Sequence, residues 1–187
     1  MRRVVEKTYL TADRLLEDSW KLANLIIDSG FQPSHIVGIW RGGAPVGIAV
    51  QELLAFHGID ADHIAVRTSS YTGIDEQREV RVYALGYLID TLNPEDQLLV
   101  IDDVFDSGRS IEAFLRELSA RCRNNMPRTV RIATAYYKPS RNRTALKPDY
   151  FVHETEDWLV FPHEICGLTR EEIRTHKPGA GLILRED

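Results

Sequence analysis

Three observations predict an α/β fold, a mostly parallel central sheet flanked by helices. Short apolar segments alternate with amphipathic ones of helical spacing. LLVID at 98–102 is apolar at four successive positions, the pattern of a strand covered on both faces. Glycine turns sit between strands and the helices that follow them, as in RGG at 41–43 and DSGRS at 106–110.

The elements follow in order. TADRLLEDSWKLANLIIDSG (11–30) predicts a helix capped by Thr11, with Leu15, Leu16, Trp20, Ala23, Ile26 and Ile27 on its apolar side and Gly30 as its stop. HIVGIW (35–40) predicts a strand, and APVGIAVQELLAFHG (44–58) a helix ending at Gly58, so that strand, glycine turn and helix make a first βα unit. HIAVRT (63–68) predicts a second strand. The stretch SSYTGIDEQRE (69–79) has too few apolar residues to pack and is expected to be a mobile loop, and VRVYALGYL (80–88) reads as a strand pair. LLVID leads through Gly108 into a helix over SIEAFLRELSARCRN (110–124). TVRIATAYYK (129–138), DYFVHE (149–154) and WLVFPHE (158–164) supply the last strands. No repeat, linker or low-complexity segment intervenes, which predicts one domain over residues 1–187.

Composition excludes several function classes. With 23 Lys and Arg against 28 Asp and Glu, the net charge is -5 and no basic tract is present, so nucleic acid is not the expected partner. MRRVVEKTYL is basic but lacks the apolar region of a signal peptide, and no run approaches the roughly 20 apolar residues of a membrane span. Cys122 and Cys166 have no metal-ligand spacing, which predicts free thiols in a reducing, cytoplasmic setting.

In parallel α/β sheets, ligands bind beyond the carboxyl ends of the strands. Three strand ends therefore stand out: RGG after IVGIW, DDVFDSGRS after LLVI, and KPSR after TAYY. The DSGRS turn offers backbone N–H groups, two hydroxyls and the positive end of a helix dipole, which together suit a phosphate dianion. Neither GxxxxGK[ST] nor GxGxxG is present. Asp102 and Asp103 are expected to be exposed, where carboxylates accept hydrogen bonds from vicinal hydroxyls such as those of a ribose. The plainer alternative makes one aspartate a helix cap and the others solvated loop acids.

VIDDVFDSGRS resembles the signature of the type I phosphoribosyltransferases, with Ser107 and Ser110 where threonine is more usual. Four further segments, in the same order, resemble the 6-oxopurine branch, the hypoxanthine, guanine and xanthine phosphoribosyltransferases. WRGG (40–43) is similar to its pyrophosphate loop, SSY (69–71) to its mobile loop, YYKP (136–139) to its base-recognition segment and DWLVFPHE (157–164) to its aromatic hood.

The resemblance implies transfer of the ribose phosphate of 5-phosphoribosyl 1-pyrophosphate to a purine nitrogen, with release of pyrophosphate, and a small hood over the site. It implies that Asp106, Ser107, Gly108, Arg109 and Ser110 bind the 5'-phosphate, while Asp102 and Asp103 hold the ribose hydroxyls and the hydration shell of Mg2+. Glu164 takes the place of an acid near the metal and pyrophosphate. Arg41, Gly42 and Gly43 would meet the pyrophosphate, with Arg170 as a second contact, and the Trp40–Arg41 peptide is expected to be cis. Asp106 is implied to be the general base for the purine. Lys138 would donate to O6, Trp158 would stack on the base, and the backbone at Leu159 and Val160 would read its edge. Ser70 and Tyr71 are implied to close over the site during catalysis. A homodimer or homotetramer is implied as well. Two other readings share the fold: a regulator of the pyrimidine-operon attenuator type, against which the charge of -5 argues, and an enzyme with a pyrimidine or adenine acceptor, which Lys138 disfavours. The apolar Val160 and Phe161 leave the three oxopurines unranked, and the tail THKPGAGLILRED (175–187) has no counterpart.

Overall fold

The computed structural model describes residues 7–72 and 78–184, with the backbone alone at 69–72, 78 and 79. In chain order the elements are β1 (Lys7–Tyr9), α1 (Ala12–Asp28), β2 (His35–Trp40), α2 (Gly43–Phe56), β3 (Asp62–Thr72), β4 (Arg78–Tyr83), α3 (Gly86–Thr91), β5 (Gln97–Phe105), α4 (Arg109–Cys122), β6 (Thr129–Tyr137), β7 (Tyr150–Glu154), β8 (Trp158–Val160), α5 (Arg170–His176) and α6 (Ala180–Ile183). They divide into two compact units, residues 16–156 and residues 1–15 with 157–187.

The larger unit holds a six-stranded sheet in the order β4-β3-β2-β5-β6-β7, parallel throughout except for the antiparallel β3–β4 pair. This is the mostly parallel α/β architecture that the alternating segments predict. β5 sits inside the sheet, and Leu98, Leu99, Val100 and Ile101 are all fully buried. Leu98 and Val100 join Ile111, Phe114 and Leu118 of α4 in one core cluster. At about 1.5–3 kcal/mol per buried aliphatic side chain, this strand is the strongest single organiser of the unit. It also carries the residues from Asp102 to Phe105, so the fold's best-buried strand delivers the candidate site.

Three sequence expectations need correction, and one element is new. The paired acids lie within β5 rather than beyond it: Asp102 pairs with Thr134 of β6, and Asp103 is 8% exposed, so the pair is not displayed to solvent as expected. The stretch 80–88 is not a strand pair. β4 ends at Tyr83, Ala84 takes a left-handed φ of 68°, and Leu85, Leu88 and Leu92 then bury themselves at helical spacing around α3. Within 69–79, residues 69–72 and 78–79 are not a loop. They form an antiparallel ladder from Ser69↔Arg81 to Thr72↔Arg78, whose backbone pairing needs no apolar side chains, while residues 73–77 lie outside the described residues. The N-terminal stretch contributes a strand: β1 runs parallel to β8, with Lys7↔Trp158 and Tyr9↔Val160 in register.

The smaller unit is organised around Glu172. Its carboxylate accepts from Lys7 Nζ at 2.6 Å, Tyr9 Oη at 2.8 Å and the Thr169 N–H at 2.7 Å, closing a capping box at the start of α5. The Lys7, Thr169 and Tyr9 hydrogen bonds hold this carboxyl at about 2. Lys177 is buried and donates to the Phe161 carbonyl at 2.6 Å. Within the tail without a counterpart, residues 175 and 176 end α5 and residues 180–183 form α6.

A buried acid joins α1 to the edge of the large sheet. Asp18 is fully buried, with Lys21 Nζ and His153 Nε2 each 2.9 Å from Oδ1 and the Tyr136 hydroxyl 2.9 Å from Oδ2. Burial pushes its carboxyl up, but hydrogen bonds from Lys21, His153 and Tyr136 outweigh it, leaving the value below the ordinary 3.8. The stability it contributes is therefore complete above that ordinary value and is lost as pH falls through the lower folded one. Asp18→Asn is expected to cost about 1–3 kcal/mol at pH 7, by loss of charge-assisted bonds. The deficit should shrink as a urea titration is repeated toward pH 3, and a deficit independent of pH would contradict the assignment.

Candidate active site

Three chain segments converge at the carboxyl ends of the parallel strands in the larger unit. The first is the turn from β5 into α4. Gly108 caps α4 with φ 75°, a left-handed conformation, and a Cβ there would lie 2.6 Å from Thr144 Oγ1 and 2.7 Å from Phe105 Cζ. Only glycine fits both constraints. Around it, Asp102, Phe105, Asp106, Ser107, Gly108 and Ser110 line a small cavity of about 70 Å3. Asp106, Ser107 and Ser110 also line a wider pocket of about 380 Å3 shared with Arg109.

The second segment is the glycine turn between β2 and α2. The Trp40–Arg41 peptide is cis, and Arg41 is exposed. A Cβ on Gly42 would run into the Asp103 carboxylate, and one on Gly43 would run into the Ile101 carbonyl and lie 3.0 Å from Asp102 Cα. Two glycines thus let this turn close onto the paired acids. The Asp102 carboxylate accepts from the Asp103 N–H at 3.0 Å and from the Gly43 N–H. Burial and the adjacent Asp103 charge push the Asp102 carboxyl well above the usual range. Such a crowded, proton-seeking pair suits a divalent cation, and no group of three or more metal-ligating side chains occurs among the described residues. Two carboxylates, with water and substrate oxygens completing the shell, is the donor set that Mg2+ tolerates.

The third segment follows β6. Lys138 is 5% exposed, not a solvated strand-end lysine, and its Nζ lies 3.8 Å from Asp106 Oδ2. The other oxygen of Asp106 meets Arg141 Nε at 2.8 Å. Arg141 and Arg143 lie within five residues of Lys138, and no motif in the sequence marks them for this site.

The remaining candidates, apart from Ser70 and Tyr71 on β3, belong to the smaller unit. Trp158 is 52% exposed, which a core aromatic is not, while Leu159 and Val160 are buried in β8. Glu164 Oε2 accepts from the Phe161 N–H at 2.9 Å, and Arg170 is exposed at the first turn of α5. Ser70 and Tyr71 are placed by backbone only, opposite Val80 and Glu79.

A mostly parallel sheet flanked by helices, with a helix N-terminus, paired acids and glycine turns at its strand ends, makes this an α/β domain. Residues 7–167 match the phosphoribosyl transferase domain, and the chain belongs to that family. No curated protein matches it significantly in sequence. Among solved structures, purine phosphoribosyltransferase from Pyrococcus horikoshii superimposes with TM-score 0.66 at 23% identity, over 87% of this chain and 97% of that one. Xanthine-guanine-hypoxanthine phosphoribosyltransferase from Helicobacter pylori gives TM-score 0.66 at 21% identity, over 91% and 100% of the two chains. Hypoxanthine phosphoribosyltransferase from Trypanosoma cruzi, in complex with the product IMP, gives 0.54 at 17% identity over 76% and 74%. At these identities the likeness establishes the shared fold.

Proposed function

We propose that the protein is a purine salvage enzyme that transfers the 5-phosphoribosyl group of 5-phosphoribosyl 1-pyrophosphate to N9 of hypoxanthine, guanine or xanthine. The observation that carries this is the buried Lys138 ammonium beside Asp106 at the phosphate turn. Lysine is seldom buried without a partner, and this pair offers a donor for a 6-oxo group next to an acceptor for the purine N7–H. An adenine amino group would present hydrogens to Lys138 and be rejected. The IMP bound to the Trypanosoma cruzi structure supports the same class of base.

In the transfer, the bond from C1 to the pyrophosphate oxygen breaks, the bond from C1 to N9 forms, and the purine loses a proton. Asp106 accepts that proton through N7. The backbone N–H groups and hydroxyls from Ser107 to Ser110, with Arg109, anchor the 5'-phosphate and fix C1 relative to the base. Arg41, with the open backbone at Gly42 and Gly43, binds the departing pyrophosphate, and Arg170 adds a second cation. Asp102 and Asp103 hold the ribose hydroxyls and, with Glu164, the surroundings of Mg2+, which when bound neutralises pyrophosphate charge. Trp158 stacks on the base, Leu159 and Val160 read its edge through their backbone, and Ser70 and Tyr71 exclude water on closure.

The two units would act as one phosphoribosyltransferase domain, in the cytoplasm, as a homodimer or homotetramer. Support for association comes from α2. Apart from Gln51 and Glu52 its residues are apolar, as in a covered helix, yet Ile48 is exposed and with Trp40 lines a groove of about 450 Å3, and Phe56 at the helix end is exposed as well.

Calorimetric titration with nucleoside 5'-monophosphates tests the base assignment. The inosine, guanosine or xanthosine nucleotide is expected to bind at least tenfold more tightly than AMP or UMP, a difference of about 1.4 kcal/mol. Lys138→Gln should erase that preference while keeping affinity for ribose 5-phosphate. Equal binding of IMP and AMP by the unmodified protein would refute the role of Lys138, and a preference for UMP would favour the pyrimidine-linked regulator.

A further inference from the structure

We propose that Arg141 and Arg143 form a second wall of the 5'-phosphate pocket, and that Arg141 also positions Asp106. This rests on the phosphoribosyl reading of the phosphate turn and adds two residues to it from a different strand end.

The pocket of about 380 Å3 is lined by Asp106, Ser107, Arg109, Ser110, Arg141 and Arg143. Three arginines and one carboxylate line it, and that carboxylate already contacts Arg141 Nε at 2.8 Å and Lys138 Nζ at 3.8 Å. The excess positive charge suits a dianion.

The loop that carries the two arginines is fastened to the phosphate turn by its backbone. The Lys138 N–H donates to the Phe105 carbonyl at 2.9 Å, and the Arg143 N–H to the Ser107 carbonyl at 3.0 Å. Between them a 3-10 turn over Pro139–Arg141 is closed by the Arg141 N–H on the Lys138 carbonyl at 3.1 Å. Asn142 stiffens the next residues, donating to the Leu146 carbonyl at 2.7 Å and accepting from the Thr144 N–H at 2.9 Å. Thr144 in turn packs so closely on Gly108 that a Cβ there would be 2.6 Å from its hydroxyl. A loop ordered this way has its backbone in place before an anion arrives, so less ordering entropy is lost on binding.

Arg141 has a second task. A guanidinium has five donors, so Nε can hold Asp106 Oδ1 while Nη1 and Nη2 serve an anion. Asp106 would then keep one orientation when the 5'-phosphate is bound and when it is not. Arg143 has no such link and should act on phosphate affinity alone.

Titration of the full-length protein with ribose 5-phosphate alone, with ribose and pyrophosphate as controls, tests the wall without needing a purine. The unmodified protein is expected to bind ribose 5-phosphate and not ribose. R141Q and R143Q should each weaken ribose 5-phosphate by about tenfold or more, as loss of a charge-assisted bond requires, and leave pyrophosphate unchanged. R141K should retain part of the affinity, because it keeps the charge and loses the fork. In steady-state assays R141Q should also lower kcat about tenfold, whereas R143Q should raise KM for the phosphoribosyl donor with kcat within twofold of the unmodified protein. Ribose 5-phosphate affinities within twofold in both variants would overturn the wall, and equal kcat values in R141Q and R143Q would overturn the positioning role. Retained ribose 5-phosphate binding that the variants weaken, in a protein that converts no 6-oxopurine, would refute the proposed acceptor and leave the wall standing.

Discussion

Asp106→Asn is expected to lower turnover by about 10²- to 10⁴-fold, the range for loss of a positioned general base. The substitution is nearly isosteric, and the Asp106 side chain is 36% exposed, so the fold should survive. What changes is the chemistry at one oxygen. The carboxylate between Lys138 and Arg141 can accept a proton from the purine, and the amide that replaces it cannot. The change also leaves two cations facing a neutral group, so affinity for a phosphorylated ligand should not fall. The measurement is kcat for nucleotide formation alongside a thermal melt: a large loss of kcat with an unchanged melt is expected. Unchanged kcat would remove Asp106 as the base.

Gly43→Ala is expected to damage both stability and activity. Its Cβ would collide with the Ile101 carbonyl and sit 3.0 Å from Asp102 Cα, and both belong to the backbone of the best-buried strand, which cannot give way. Overpacking of this kind costs about 1–3 kcal/mol. The alternative is for the glycine turn to move off the paired acids, which breaks the bond from the Gly43 N–H to the Asp102 carboxylate. A shift of about 1 Å at a binding loop can lower the rate by about 100-fold. Gly86→Ala is the control, since nothing lies within 4 Å of its added Cβ. Equal melting points and rates for the two variants would refute the close approach of turn and acids.

β5 and α4 were legible because the buried run Leu98 to Ile101, covered on both faces, must be apolar at each position, and because Gly108 marks where the chain turns. The strand ends were legible for the same reason, and they delimit most of the candidate site. The burial of Asp103 was not legible. Carboxylates ordinarily mark a surface, and only the absence of a side chain on Gly42, sixty-one positions away, makes room for this one. β1 escaped notice because three residues carry no periodicity; its partner β8 lies some 150 residues on. The helix α3 was hidden by strand-like composition, since Val80, Val82 and Tyr83 favour strands while Leu85, Leu88 and Leu92 repeat at helical spacing over too short a span to stand out. Arg141 and Arg143 look like ordinary solvated arginines in KPSRNR. Their place in the pocket of about 380 Å3 depends on backbone bonds of Lys138 to Phe105 and of Arg143 to Ser107, which no local pattern encodes.

The most direct test of the central claim is the reaction itself. The protein, Mg2+ and 5-phosphoribosyl 1-pyrophosphate are incubated with hypoxanthine, guanine, xanthine, adenine and uracil in separate reactions, and nucleotide and pyrophosphate are both quantified. The expected result is a nucleoside 5'-monophosphate and an equal amount of pyrophosphate from at least one 6-oxopurine, with adenine and uracil left unconverted. Absence of nucleotide from all three 6-oxopurines would contradict the proposed function.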